Sequence, residues 1–142
     1  MVDFTHLKVL EQKGDAEVPY KLEQIDGAPT IWFLPGTDAN KPFANESLRR
    51  ANARARTNRR SKRVTADTIS AARDEDRELI AKFCARRWDV KDAKKKDVEF
   101  SPENCLEFFR ALPDWLFDDI RGFVTDPGNF VDGAGDDSLG EV

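Results

Sequence analysis

Apolar and polar residues first alternate in Tyr20-Lys21-Leu22-Glu23-Gln24-Ile25, the period of a half-buried strand. Asp26-Gly27 is a turn signal, and Thr30-Ile31-Trp32-Phe33-Leu34 is rich in residues that suit strands. These segments predict a β-hairpin ending at Pro35-Gly36, with Pro29 marking a strand that starts late or lies at an edge. The period then changes. Asn40 can cap a helix with Pro42 in its first turn, and Ala44, Leu48, Ala51 and Ala55 follow i, i+4, i+7, i+11. That predicts a first helix from about Lys41 to about Arg60, with a narrow apolar stripe of small residues.

A second helix is expected from Thr65, capped by Thr65 or Asp67, to about Trp88, burying Ile69, Ala72, Leu79, Ile80, Phe83 and Cys84. Its Arg73-Asp74-Glu75-Asp76-Arg77 run reads as solvated surface. Asp76 lies near the apolar stripe and is the one acid of the run that could be partly buried against an Arg. The Lys-rich stretch Asp89–Glu99 is a connection, with Val98-Glu99-Phe100 a candidate short strand. Ser101-Pro102 starts a third helix carrying Cys105, Leu106, Phe108, Phe109 and Leu112, and Pro113 ends it. Pro113-Asp114 opens a fourth, with Trp115, Leu116, Ile120, Phe123 and Val124 as its apolar set; Asp126-Pro127-Gly128 closes it and Phe130 docks behind. The expected fold is mainly α, about four helices in a compact bundle, with a small N-terminal β-hairpin. Its parts are an N-terminal hairpin segment (1–36), a helical domain (37–131) and a disordered acidic tail (132–142), whose residues include four acids, three Gly and no base.

Composition narrows the function. The 142 residues suit one domain with a core of its own. Charged residues reach 35%, well above the usual quarter, so much of the surface must be strongly solvated. Residues 1–10 lack the hydrophobic centre of a signal peptide, and no apolar run approaches the ~20 residues that span a bilayer. The protein is therefore expected to act in the cytoplasm of the cell that makes it, without a membrane. Cys84 and Cys105, in apolar helical stretches without a CxxC spacing, read as reduced, buried thiols. The single His6 and two cysteines make no zinc spacing. Phosphate-binding glycine loops and the GxSxG elbow are missing from the sequence. No catalytic residue, cofactor site or metal site is assigned, and a non-enzymatic binding protein is the expectation.

Two features point to partners. From Lys41 to Arg63 there are nine Lys or Arg and one acid, Glu46. On that helix Arg49, Arg56, Arg60 and Arg63 share one flank and could track phosphates. No aromatics interleave them for base stacking, and the chain nets −4, so pairing with acids of the third and fourth helices, the tail or a partner protein is favoured over nucleic acid. The other feature is Trp115-Leu116-Phe117. One helix face cannot bury all three, which makes Trp115 and Phe117 candidate anchors for another protein.

Several elements, in order, resemble a known family. They are Leu-Pro-Gly-Thr-Asp-Ala-Asn-Lys-Pro-Phe (34–43) leading into the Arg-rich helix, Arg-Asp-Glu-Asp-Arg-Glu-Leu (73–79), a segment around Trp88, Phe-Ser-Pro-Glu-Asn (100–104), Leu-Pro-Asp-Trp-Leu-Phe-Asp-Asp (112–119) and Asp-Pro-Gly-Asn-Phe (126–130). Over residues 20–131 the chain is similar to the tail assembly chaperones of long-tailed bacteriophages. The resemblance implies a non-enzymatic role: binding the tape measure protein and/or tail tube subunits during assembly, keeping them soluble, and leaving before the particle is finished. In several such phages a ribosomal frameshift appends a second domain. Similar proteins tend to carry an Asp-Gly-type turn between the positions of Trp88 and Phe100. This chain has Lys-Asp-Ala-Lys-Lys-Lys there, so no tight hairpin is expected. The alternatives are a nucleic-acid-binding regulator using the Arg-rich helix and a structural virion protein at a tail or connector joint.

Overall fold

A computed structural model describes residues 2–11, 14–57 and 65–131. The chain is mainly helical with a small antiparallel sheet. Strands β1 (Val18–Lys21) and β2 (Thr30–Phe33) form the expected hairpin, with Tyr20 opposite Ile31. The first strand lies earlier than Tyr20–Ile25. Leu22 still buries, but the chain then turns through Leu22–Ile25 and Ile25–Ala28 backbone hydrogen bonds. Pro29 immediately precedes β2, which is the central strand; the edge is β1, where Pro19 has no ladder bond to lose.

Helix α1 runs Lys41–Thr57. Asn40 receives the Phe43 N–H on its Oδ1 and donates its own amide to the Phe83 carbonyl at 2.9 Å, tying the helix start to the core. Helix α2, Ala66–Phe83, starts on a reciprocal cap. Thr65 Oγ1 accepts from Thr68 N, and Thr68 Oγ1 accepts from Thr65 N. It stops five residues before the expected end. Ala85–Trp88 is instead a third strand, β3, on the far side of β2. The free edge of β2 decides this: Leu34 N donates to Cys84 O, and Asp89 N to Thr30 O. The first half of α2 also departs from expectation. Ile69 is 51% exposed and Ala72 is exposed, because among the described residues no element covers that face.

Val98–Phe100 forms no strand. A tight turn nevertheless stands between residues 91 and 97, where Lys91 bridges Asp97. Lys95 adopts φ 64°, and the Asp92 carboxylate accepts from the backbone N–H of Lys94 and Lys96. The carboxylate and a left-handed lysine do the work of the missing glycine. Helix α3 (Pro102–Ala111) is capped by Ser101, and α4 (Asp114–Val124) follows Pro113. A 3-10 turn at Pro127–Phe130, capped by Asp126, sets Phe130 against Phe123 at 5.7 Å between ring centroids.

The compact four-helix bundle is corrected. The core lies between the inner face of the sheet (Val18, Ile31, Phe33) and α2, α3 and α4, which supply Ile80, Cys84, Cys105, Phe109, Phe117, Ile120 and Val124. The sheet takes the place a fourth helix would fill. Helix α1 leans on α2 from outside. Cys84 and Cys105 are free and buried, and that burial pushes both thiols up. The tail 132–142 lies outside the described residues.

Candidate partner-binding surface

Helix α1 meets α2 through charge. Glu46, Arg50 and Arg54 recur every four residues on the side facing α2. Arg50 Nη1 donates to Glu78 Oε1 at 3.0 Å, and Arg54 pairs with Glu75. Glu46 accepts from Arg49 and Arg50, whose guanidinium groups hold its carboxyl down to about 2. The expected partners of the basic helix were the acids of the third and fourth helices and the tail. Among the described residues α2 supplies them instead. The complementary spacing of Glu46/Arg50/Arg54 and Glu75/Glu78 was the signal for it.

Asp114 and Asp118 of α4 are engaged elsewhere. Arg73 bridges Asp118 (3.0 Å) and Asp114 (3.3 Å); Arg77 reaches Asp114 at 2.8 Å; Arg121 joins Asp76 (2.9 Å) to Asp118 (3.0 Å). Arg110 on α3 grips Asp74 through two hydrogen bonds. The Arg73–Arg77 run is thus a seam of α2 with the other three helices and not a solvated face, and Asp76 is paired with Arg121. Arg110 holds the Asp74 carboxyl below the ordinary range, and Arg73 does the same for Asp118. Arg77 is nearly buried. It lies 5.2 Å from the Phe117 ring centroid, and its Nε has no hydrogen-bond partner among the described residues.

The candidate anchors separate. Trp115 is 57% exposed. Phe117 is fully buried, packed on Phe109 at 5.3 Å, and is corrected from surface anchor to core residue. Two residues along a helix turn the side chain by about 200°, which sends Phe117 under α2 and α3 while Trp115 points outward. Arg49 is exposed beside Glu46, and Arg56 is exposed on α1. Arg60 and Arg63 lie outside the described residues.

The periodicity also missed a set of exposed apolar side chains. Leu48 stands 63% exposed with Ala51 and Ala55, so the α1 stripe faces away from α2. The N-terminal 3-10 segment Thr5–Leu10 buries none of its residues, and Phe4, Leu7 and Leu10 are exposed. A cleft of about 540 Å³ lies between the β1–β2 loop and the 91–97 turn, floored by Ile25, Pro29, Val90 and Phe108. Three of the ionisable groups at its rim hold the rim itself: Asp89 accepts the Thr30 N–H, Lys91 donates to the Asp97 carboxylate, and Asp92 accepts from two backbone N–H groups.

Among the described residues no group of three or more His, Cys, Asp or Glu is arranged around a metal position, and no helix is long and apolar enough to cross a membrane. No protein-family model matches the chain, and comparisons with curated proteins and with solved structures return no match.

Proposed function

We propose that this protein is a non-enzymatic assembly chaperone for a long-tailed bacteriophage, holding the tape measure protein and/or tail tube subunits through its helical surfaces. On this reading it works in the host cytoplasm without membrane, cofactor or metal. One observation carries the proposal: large apolar side chains stand on a heavily charged surface. Phe4, Leu7, Leu10, Leu48, Ile69 and Trp115 are exposed, on a chain of which 35% of residues are charged. A holding protein needs apolar surface to engage an aggregation-prone helix, and charge to keep the complex dispersed. The ordered motifs of residues 34–130 support the same role.

The nucleic-acid reading draws on Arg49, Arg56, Arg60 and Arg63. It is the weaker reading because the neighbouring Arg50 and Arg54 are engaged with Glu78 and Glu75.

Co-expression with the tape measure protein of the same phage is the test. The expected result is a rise in soluble client and co-purification of the two chains. An insoluble client and no complex would reject the proposal. Mass spectrometry of purified particles separates a chaperone, absent from them, from a structural tail protein.

A further inference from the structure

An ordinary surface helix turns its apolar stripe to the core and its charges to water. Helix α1 is mounted the other way round. At about 100° per residue, Glu46, Arg50 and Arg54 point to α2, and Leu48 and Ala55 lie on the opposite side, flanked by Arg49 and Arg56. The structure agrees: Arg50 and Arg54 bond Glu78 and Glu75, while Leu48 is 63% exposed and Ala51 and Ala55 are exposed.

We infer that the outward face of α1, with Leu48 at its centre, seats an acidic amphipathic helix of another protein. The inference rests on the assembly-chaperone reading and deepens it by stating the chemistry of the client segment. Three observations converge. The stripe repeats at i, i+4, i+7, i+11 and is alanine except for Leu48; small residues let a second helix approach to the short end of the ~8–10 Å interaxial range, with Leu48 as the one knob. The charge beside it is basic in excess among the described residues of the helix. Lys41 to Arg63 holds nine bases and one acid, that acid is shared by Arg49 and Arg50, and Arg50 and Arg54 are engaged with α2. Exposed Arg56, with Arg49 beside its Glu46, therefore gives one flank of the stripe positive charge for the carboxylates of an incoming helix. An exposed apolar strip with arginines along one flank also suits a helix better than a phosphate backbone, which would leave Leu48 against charge.

The experiment uses the full chain and a labelled helical peptide of about 18 residues. The peptide carries Leu at i, i+4, i+7 and i+11 with Glu on both flanks; a control carries Lys in place of Glu. Fluorescence anisotropy should show the acidic peptide binding, more weakly as salt rises, and the control failing to bind. Leu48→Glu and Arg56→Glu should each weaken binding by about tenfold or more, and Leu48→Met should preserve it. Leu48 and Arg56 are exposed, so circular dichroism should show each variant folded.

Three results overturn the inference: no binding of the acidic peptide at low salt, binding indifferent to Leu48→Glu, or a short DNA duplex that binds tighter than the peptide. A homodimer in sedimentation that Leu48→Glu splits also overturns it, since a second copy then covers the face. Client rescue that survives Leu48→Glu would place the seat elsewhere and leave the chaperone reading standing. Leu48-dependent peptide binding without client rescue would do the reverse.

Discussion

Trp115 and Phe117 are two residues apart in one helix, and their truncation should have opposite consequences. Phe117 is fully buried. Its ring packs 5.3 Å from Phe109, and the Arg77 guanidinium lies 5.2 Å from its centroid. Phe117→Ala removes a buried aromatic and leaves a cavity among rigid neighbours, which costs about 3–5 kcal/mol. Against a total stability of about 5–15 kcal/mol, that removes about a fifth or more and lowers Tm by on the order of 10–20 °C. Trp115→Ala empties a site more than half in water and should change stability by about 0.5 kcal/mol or less. Urea titration followed by far-ultraviolet circular dichroism measures both, provided the slope is unchanged between variants. If Phe117→Ala is too unstable to titrate, Phe117→Leu, with a cost of roughly 1–2 kcal/mol, keeps the comparison quantitative. A Phe117→Ala loss below about 1 kcal/mol, or a Trp115→Ala loss above it, would refute this placement of α4.

Gly36→Ala should destabilise by about 1–3 kcal/mol in the same titration, because an added Cβ would stand 2.8 Å from Cγ1 of buried Val124. Lys95→Gly should stabilise by roughly 0.5–1 kcal/mol, since it relieves a side chain held at φ 64°. Glu46, Asp74 and Asp118 have carboxyl groups held below their ordinary values, so below about pH 5 the unfolded chain binds more protons than the folded one. Melting temperature should therefore fall as pH drops from about 5 toward about 2, and Asp118→Asn should flatten that fall. Hydrogen exchange at the α1 amides after Arg50 should quicken as salt rises from about 0.1 M to about 1 M, because the screening length shrinks from ~10 to ~3 Å; amides of α3 should not respond.

Helix starts were legible because their chemistry is local. Ser101-Pro102, Thr65 and Asn40 each place an acceptor oxygen beside the first unpaired N–H groups. The end of α2 was not, since no Gly or Pro stands between Phe43 and Ser101. What turns Ala85–Trp88 into a strand is the unpaired edge of β2, more than fifty residues upstream. The sequence does show that Trp115, Leu116 and Phe117 cannot share one buried face. Choosing between Trp115 and Phe117 needs the positions of Phe109 and Arg77. The 91–97 turn escaped for a third reason. Its shape depends on the Asp92 carboxylate binding two backbone N–H groups, an interaction that turn-residue statistics for Gly do not register.

The stripe on α1 carries the more general point. Periodicity says that a helix has an apolar face; it does not say that the chain itself covers that face. Here two periodic patterns coexist on one helix, and only the charged one finds its complement within the described fold. Partly exposed ion pairs contribute about 0–1 kcal/mol each, so the far half of α1 is held weakly, while Asn40 and half-buried Phe43 fix its start. An apolar face on a loosely seated helix can adjust to an incoming partner without disturbing the core. On the proposal made above, that suits α1 better than the tightly packed α3–α4 layer to receive a partner helix.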